Sequence, residues 1–309
     1  MTDSTRLVAS LGATVVGRRR ESELVVAALA AGRHVLLEGP PGTGKSTLLR
    51  AVAESLGIGF EFVEGTAELT PARLVGHFDP ALVLSEGYRP EVFIDGPLLR
   101  AVRDGSLLYV EEINRVPEET LNVLVTVMSE REVTVPRLGR VVAADGFRLV
   151  AAMNPFDAIG TARISGAVYD RVCRVAMGYQ DVADEAAIVE RRVDGISADL
   201  LTAAVGAVRD TREHADLRSG SSVRGAIDLC AVAVELATMR SLPLMDRSVT
   251  LDALLVALSG RVRVREGVSA TVEDILTSIW LRWFGTDADD GTGDGSGKAT
   301  GPTATHPAG

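Results

Sequence analysis

The spacing of hydrophobic residues gives the chain two kinds of pattern. Over about residues 15–178, short runs of consecutive apolar residues alternate with longer segments whose apolar residues recur every three or four positions. Short apolar runs predict buried strands, and the longer spacing predicts helices. This alternation is typical of an α/β fold in which helices cover both faces of a parallel sheet. The predicted strands are residues 34–37, 60–63, 107–110 and 147–152, with a fifth near 174–177.

A different pattern follows this region. Over about residues 181–283 only the helical spacing continues, and beyond it apolar residues almost disappear. A segment without apolar residues cannot bury enough surface to offset the entropy lost on folding. We therefore expect an α/β domain over residues 1–178, an all-helical domain over 179–284 and a disordered tail over 285–309.

Two segments interrupt the strand-helix alternation of the first region. Residues 81–94 carry apolar runs on either side of a polar stretch, 85–90, and residues 132–143 carry two short apolar runs around 136–140. Apolar runs of this length separated by turn residues predict β-hairpins or loops that project from the core.

The charge balance narrows the class of partner. The chain has 42 Asp and Glu residues against 32 Lys and Arg, which gives a formal net charge of −10. Such a chain has no overall attraction for a phosphate backbone, so the composition argues against a nucleic-acid-binding protein. Two basic clusters are exceptions. Residues 18–20 are three arginines that we interpret as a solvated surface, and Arg131, Arg137 and Arg140 surround the second insertion.

The sequence gives little indication of disulfides, a zinc site or a membrane span. Cys173 and Cys230 lack Cys-x-x-Cys spacing and lie in apolar or mixed surroundings, which predicts reduced core residues. The four histidines lack the spacing of zinc ligands. No uninterrupted apolar run approaches about 18 residues, and the N-terminus lacks the pattern of a signal peptide. We therefore expect a cytoplasmic protein without a membrane span.

One segment gives the first indication of chemistry. The predicted strand 34–37 and a predicted helix over 47–56 flank a match to G-x-x-x-x-G-K-[ST], the phosphate-binding loop. This motif and the first residue of the helix comprise Gly39, Pro40, Pro41, Gly42, Thr43, Gly44, Lys45, Ser46 and Thr47. Backbone N–H groups at such a turn converge on phosphate oxygens. Lys45 would reach the β- and γ-phosphates of ATP, and Ser46 would offer its hydroxyl to Mg²⁺.

Two later strands end in side chains that suit the same chemistry. Glu111 and Glu112 follow the strand 107–110. In P-loop ATPases the first such carboxylate organises the Mg²⁺ shell, and the second polarises the attacking water. Asn154 follows the strand 147–152, and its amide can hydrogen-bond the γ-phosphate or the water.

The order and spacing of these motifs resemble the MoxR group of AAA+ ATPases over about residues 15–265. The matching motifs are residues 39–46, 96–98, 111–115, 154–155, 160–161, 170–171 and 222–224. The resemblance implies an αβα nucleotide-binding domain, a helical lid and a ring, usually hexameric, with ATP at the subunit interfaces. It also implies a chaperone-like role in remodelling or maturing partner complexes, often with proteins that carry a von Willebrand factor A domain. The two insertions match the family's helix-2 and pre-sensor-1 inserts.

The resemblance also assigns roles by position. It places Lys45 and Ser46 in Walker A, Glu111 and Glu112 in Walker B, and Asn154 at sensor 1. Arg171 matches the arginine finger, with Arg174 as a substitute, and Arg224 matches sensor 2. The family usually has Asp where this chain has Glu111. Mg²⁺ prefers near-ideal octahedral geometry, so the longer side chain predicts slow turnover.

Three functions stay open at this point. The first is an ATP-hydrolysing, oligomeric chaperone that acts on a protein client. The second is a nucleotide-gated switch that assembles on ATP and hydrolyses little, for which Glu111 is the motivating feature. The third is a nucleic-acid motor, which the acidic balance argues against and the arginines of the second insertion keep in view.

Overall fold

The computed structural model describes residues 3–155 and 165–285, with side-chain surroundings from residue 7 onward. The motif at 160–161 and nearly all of the predicted tail, residues 286–309, lie outside this part of the chain. The strands are β1 (His34–Glu38), β2 (Phe60–Glu64), β3 (Gly76–Phe78), β4 (Phe93–Asp95), β5 (Leu107–Glu111), β6 (Glu132–Val135), β7 (Gly139–Val142), β8 (Arg148–Met153), β9 (Val172–Ala176), β10 (Leu217–Ser219) and β11 (Arg263–Val264). The α-helices are α1 (Asp3–Thr14), α2 (Arg19–Ala30), α3 (Lys45–Leu56), α4 (Pro71–Val75), α5 (Pro80–Glu86), α6 (Pro97–Asp104), α7 (Glu118–Glu130), α8 (Gly166–Tyr169), α9 (Val182–Glu190), α10 (Ala198–Glu213), α11 (Val223–Arg240), α12 (Arg247–Leu258) and α13 (Val272–Phe284).

The main sheet confirms the predicted α/β fold class. In the described residues it has five strands in the order β2-β5-β8-β1-β9, and every pairing in it is parallel. The predicted fifth strand is present, but it begins at Val172. Every residue of β1 is buried, because helices cover both of its faces.

Alternate residues of each strand pack into different cores. Val35 and Leu37 of β1 pack with α1, α2 and α3 on one face of the sheet. Leu36 points to the other face and packs with α6 and α7. This alternation follows from the two-residue period of a strand, and it fixes β1 firmly between the two helical layers.

The first insertion differs from the predicted hairpin. β3 and β4 do form an antiparallel pair, but residues 80–86 between them form α5 and no strand. The local sequence explains this difference. Asp79 accepts hydrogen bonds from the N–H groups of Ala81 and Leu82, and Pro80 occupies the first turn, so the segment carries a strong helix start.

The second insertion is a hairpin, as predicted. β6 and β7 pair antiparallel, with Glu132 opposite Val142 and Val135 opposite Gly139. A cation–π contact joins the two insertions, because the guanidinium of Arg137 lies 3.6 Å from the ring centroid of Tyr88.

The remaining elements, α9 to α13 with the short β10–β11 pair, form a helical part with a hydrophobic core of its own. None of the helices in the described part of the chain combines the length and the apolar character that a membrane span needs.

Cys230 is buried in the hydrophobic core of the helical part, as predicted. Cys173 is exposed on the edge strand β9, so its prediction as a core residue is wrong.

Candidate nucleotide site

The phosphate loop lies between the end of β1 and the start of α3. Gly42 and Gly44 have φ angles of +75° and +84°, in the left-handed region that favours glycine. These two residues let the loop fold back over the first turn of α3. Its N–H groups and the positive end of the helix dipole are thereby available to an anion.

Lys45 lies across the loop that it follows. Its Nζ donates hydrogen bonds to the carbonyl oxygens of Gly39 and Pro40, both at 2.9 Å. Burial lowers the pKa of Lys45 below its usual value, Glu111 opposes this shift, and the charge of Arg224 adds to it. A cation this desolvated gains from an arriving anion, as the assignment to the phosphates requires.

The structure brings Ser46 and Glu111 together. Ser46 Oγ donates to the Glu111 carboxylate, at 3.2 Å from each oxygen, and lies 3.3 Å from the hydroxyl of Tyr109. A hydroxyl and a carboxylate are oxygen ligands of the kind that Mg²⁺ uses together with phosphates and water. Burial raises the pKa of Tyr109, which therefore stays a neutral hydroxyl beside them.

Glu112 continues the chain beyond β5 with an unusual backbone. Its φ of +51° is in the left-handed region, which is uncommon for a residue other than glycine. Its carboxylate forms an ion pair with Arg115 at 3.0 Å. Backbone strain of this kind clusters at functional sites.

Asn154 follows β8, which lies between β1 and β5 in the sheet. The N–H of Gly39, the first residue of the phosphate loop, donates to the carbonyl of Met153 at 3.1 Å. Asn154 is therefore at the same edge of the sheet as the phosphate loop and Glu111. The carboxyl ends of parallel strands are where open α/β sheets bind ligands.

Arg224 reaches the site from the helical part, at the first turn of α11. It lines a cavity of about 300 Å³ together with Gly42, Gly44 and Thr47 of the loop and its helix. Residues 14–16 close another side of this cavity. A larger cavity of about 670 Å³, among α1, α2 and α3, is lined by apolar residues such as Leu29 and lies away from the acidic side chains. The polar, smaller cavity is the one that suits a nucleotide.

Arg171 lies at the opposite end of the sheet from the phosphate loop of its own chain. It precedes Val172, which pairs with His34 at the start of β1, whereas the loop follows Glu38 at the end. Four residues of strand separate the two ends by about 13 Å. The Arg171 side chain bonds to the hydroxyl of Ser129 and, at 2.8 Å, to the carbonyl of Ala167.

Arg174, the alternative finger, lies nearer the middle of β9. Its guanidinium forms an ion pair with the buried carboxylate of Glu38, which also accepts a hydrogen bond from the Tyr169 hydroxyl at 2.8 Å. Arg174 is thus engaged by its own chain next to its own phosphate loop.

Arg18 is a residue of the site that the sequence reasoning missed. The charge pattern predicts a solvated surface for the arginines at 18–20, and this is wrong for Arg18, which is 3% exposed. Arg18 precedes α2 and therefore does not lie on its outer face, and its Nε donates to the carbonyl of Thr43 in the phosphate loop at 3.2 Å. The start of α2 could have distinguished the three arginines in the sequence. Arg19 and Arg20 lie within the helix and on its solvent-facing side, whereas Arg18 precedes it.

The parallel sheet order and the phosphate loop at its carboxyl edge define a P-loop ATPase of the AAA+ class. Residues 34–172 match the family model described as AAA domain (dynein-related subfamily). The chain is 30% identical to YeaC of Bacillus subtilis (strain 168) over 257 residues, which cover 74% of this chain and 77% of YeaC. It is 40% identical to Protein MoxR of Methylorubrum extorquens over 131 residues, 42% of this chain and 37% of that protein.

Solved structures show the same fold. A crystal structure of a protein from Cytophaga hutchinsonii matches with a TM-score of 0.52 and 21% identity, covering 91% of this chain and 94% of that one. The Holliday junction branch migration motor RuvB of Thermotoga maritima matches with a TM-score of 0.52 and 18% identity, covering 78% of this chain and 70% of RuvB.

This chain belongs to the MoxR family of AAA+ ATPases. Membership implies that it binds and hydrolyses a nucleotide, and members of the AAA+ class commonly assemble as rings.

Proposed function

We propose that this protein is a Mg²⁺-dependent ATPase that acts as a hexameric ring and remodels or matures partner protein complexes. The observation that carries the proposal is the division of the site. Lys45, Ser46, Glu111 and Glu112 meet at one edge of the sheet, while Arg171 lies at the other end. A neighbouring subunit can supply the missing cation.

The contacts support a set of roles within one subunit. Lys45 would neutralise the β- and γ-phosphates, Ser46 and Glu111 would hold Mg²⁺, and Glu112 would polarise the attacking water. When bound, Mg²⁺ would supply the charge that offsets the phosphate oxygens. Asn154 would align the water or the γ-phosphate, and Arg224 would report the γ-phosphate to the helical lid.

A protein client is supported by the surface of the first insertion. Leu84 of α5 is 90% exposed, and Leu82 and Tyr88 are also exposed nearby. Exposed apolar side chains that lie together are typical of contacts with other proteins. We therefore propose that the client is a protein. The family resemblance suggests a protein with a von Willebrand factor A domain as the candidate.

The nucleic-acid motor loses its main support at the second insertion. Arg131 donates to the carbonyl of Ala144 at 3.1 Å, Arg137 stacks on Tyr88, and Arg140 pairs with Glu132. Each of these arginines is engaged by its own chain, so the insertion does not present a ready phosphate-binding surface.

The slow nucleotide-gated switch has one observation in its favour. Glu111 is one methylene longer than the Asp that is usual in the family, and its carboxylate reaches the Ser46 hydroxyl itself, which changes the ligand spacing offered to the octahedral shell of Mg²⁺. Turnover measured with and without Mg²⁺ separates this function from the chaperone, because a switch gives a slow rate in both conditions.

The proposal is tested by affinity capture with Glu112→Gln in ATP, with Lys45→Ala as the matched control. The amide that replaces the Glu112 carboxylate can hydrogen-bond water but cannot polarise it as a carboxylate does, so we expect bound ATP, stable rings and a retained client. Lys45→Ala removes the loop cation and should abolish ATP binding and client capture. Equal capture by both variants would show that ATP does not control the client, and wild-type turnover in Glu112→Gln would move the catalytic role to Glu111.

A further inference from the structure

Arg18 lies where three parts of the molecule meet. Its Nε donates to the Thr43 carbonyl at 3.2 Å, and one terminal nitrogen donates to the Gly178 carbonyl at 2.6 Å. The other terminal nitrogen pairs with Glu21 of α2 at 3.0 Å. A guanidinium presents five donors in a planar fork, so a single side chain can hold acceptors in several directions at once.

The chain around Arg18 is shaped for this close approach. Gly17 has a φ of +67°, and a Cβ there would lie 2.2 Å from the Asp184 carboxylate of α9. Only glycine therefore lets this segment pass between α2 and the helical part with this backbone.

The bond to Thr43 fixes the direction of a whole peptide unit. In a trans peptide the C=O and the following N–H point in opposite directions, so holding the Thr43 carbonyl toward Arg18 turns the Gly44 N–H away from it. Gly44 has a φ of +84° and little steric restriction, so this peptide could rotate easily without a partner. Its N–H is one of the donors that a phosphate loop offers to an anion.

Residues 177–181 lead from β9 to α9 and are here called the linker. Through its bond to the Gly178 carbonyl, Arg18 connects the Thr43–Gly44 peptide to this linker. The linker is already held next to the loop, because the Met177 N–H donates to the carbonyl of Glu38, the last residue of β1, at 2.7 Å. A Cβ on Gly39 would lie 2.1 Å from the Met177 carbonyl oxygen, so the loop and the linker are in direct contact. Arg18 adds a second connection farther along both segments.

We propose that Arg18 is a positioning residue for the nucleotide phosphates, which holds the Thr43–Gly44 peptide in its anion-binding orientation and ties it to the linker. This role rests on the proposed nucleotide site. Arg18 itself touches backbone carbonyls and no reacting atom, so it acts through the loop. Loss of Arg18 should weaken binding of the phosphates and change the chemical step little.

The chain supplies a matched control in the next residue. Arg19 is an arginine at the start of the same helix, but its side chain is 87% exposed and pairs with Glu23 on the surface. Substitution of Arg19 removes the same charge from the same region and leaves the loop and the linker untouched.

The experiment compares wild type, Arg18→Ala, Arg18→Lys and Arg19→Ala. For each, the Kd for ADP is measured by fluorescence below the melting temperature, with the Tm of the free protein, kcat and the KM for ATP. We expect Arg18→Ala to raise the Kd and the KM at least tenfold while kcat at saturating ATP stays within about threefold. Arg18→Lys keeps the charge but offers one nitrogen for two carbonyls, so its Kd should rise at least threefold. Arg19→Ala should match wild type.

A merely structural role predicts a different result. Arg18→Ala would then lower the Tm and leave the Kd and KM of the folded protein at wild-type values, which would overturn the proposal. If Arg18→Ala does not fold, Arg18→Lys decides, and wild-type affinity in that variant would overturn the proposal as well. Wild-type protein that binds no ADP would overturn the nucleotide site itself, whereas wild-type binding with an unaffected Arg18 variant would leave that site standing.

Discussion

Glu111 shows how one methylene group can affect a metal site. Its carboxylate reaches the Ser46 hydroxyl at 3.2 Å from both oxygens, with the Tyr109 hydroxyl beside them. An aspartate at this position would end about 1.5 Å earlier, the length of one C–C bond. The shorter side chain would move the carboxylate away from the hydroxyl and leave room for a metal-bound water between the carboxylate and the ion.

Glu111→Asp should therefore raise kcat or lower the Mg²⁺ concentration that gives half the maximal rate. ATP affinity measured without metal should change little, because the proposed phosphate contacts are with the loop and not with this carboxylate. Steady-state ATPase assays over a Mg²⁺ titration check both quantities. A tenfold fall in kcat, about 1.4 kcal/mol in barrier height, would mean that the site is adapted to Glu111 and that the slow switch has lost its support.

At the scale of single residues, local sequence predicted that the loop, the paired acids and Asn154 lie at the carboxyl ends of strands, and the structure places them there. It failed for Arg18. Adjacent arginines look alike in a charge pattern, and only the tertiary path of Gly17 buries one and exposes the next.

At the scale of elements, the phosphate loop of the α/β part is in direct contact with α11 of the helical part. A Cβ on Gly42 would lie 2.2 Å from the Ser222 hydroxyl, which precedes α11 and Arg224. The first turn of α11 therefore rests against the bare backbone of the loop. Any side chain at residue 42 must push this turn away.

Gly42→Ala should weaken ATP binding at least tenfold because it displaces Arg224 as well as straining the loop. The left-handed backbone alone costs about 1–2 kcal/mol for a residue with a Cβ. Gly57→Ala is the control, since Gly57 has a φ of +63° with nothing within 4 Å of a Cβ. Calorimetric titration with an ATP analogue should show wild-type affinity in Gly57→Ala, and equal losses in both variants would contradict the contact as the cause.

Sequence patterns predicted the elements of the main sheet and the second insertion well, since apolar runs and turn residues are local signals. The first insertion was predicted less well. The apolar residues of α5 suit a strand or a helix, and the cap from Asp79 with Pro80 decides between them.

At the scale of the whole molecule, the pairing of β9 with β1 determines where Arg171 lies relative to the phosphate loop. Nothing in the pattern around residues 170–171 gives the register of β9 against β1, which joins segments far apart in the chain. That register places Arg171 away from its own phosphate loop. We therefore propose that Arg171 acts on the nucleotide of a neighbouring subunit.

Subunits with Arg171→Ala and subunits with Glu112→Gln should each be inactive alone and recover activity when mixed. Some interfaces of a mixed ring place an intact Arg171 against an intact Glu112, and a finger is worth about 10³ to 10⁵ in rate. ATPase activity is measured over the mixing ratio in rings that exchange subunits. Mixing Arg171→Ala with the double variant restores no such interface and is the control. Lack of recovery at every ratio would favour a finger in cis or Arg174.

If Arg171 is the finger, as proposed, the parallel pairing of β1 with β9 gives each subunit a phosphate loop at one end of the sheet and this finger at the other. An isolated subunit would then be an incomplete enzyme, and its rate would depend on finding a neighbour. The specific activity would then depend on the concentration of the protein. Dilution below the concentration at which subunits assemble would lower it, and higher expression would raise it, with no change in any residue of the site.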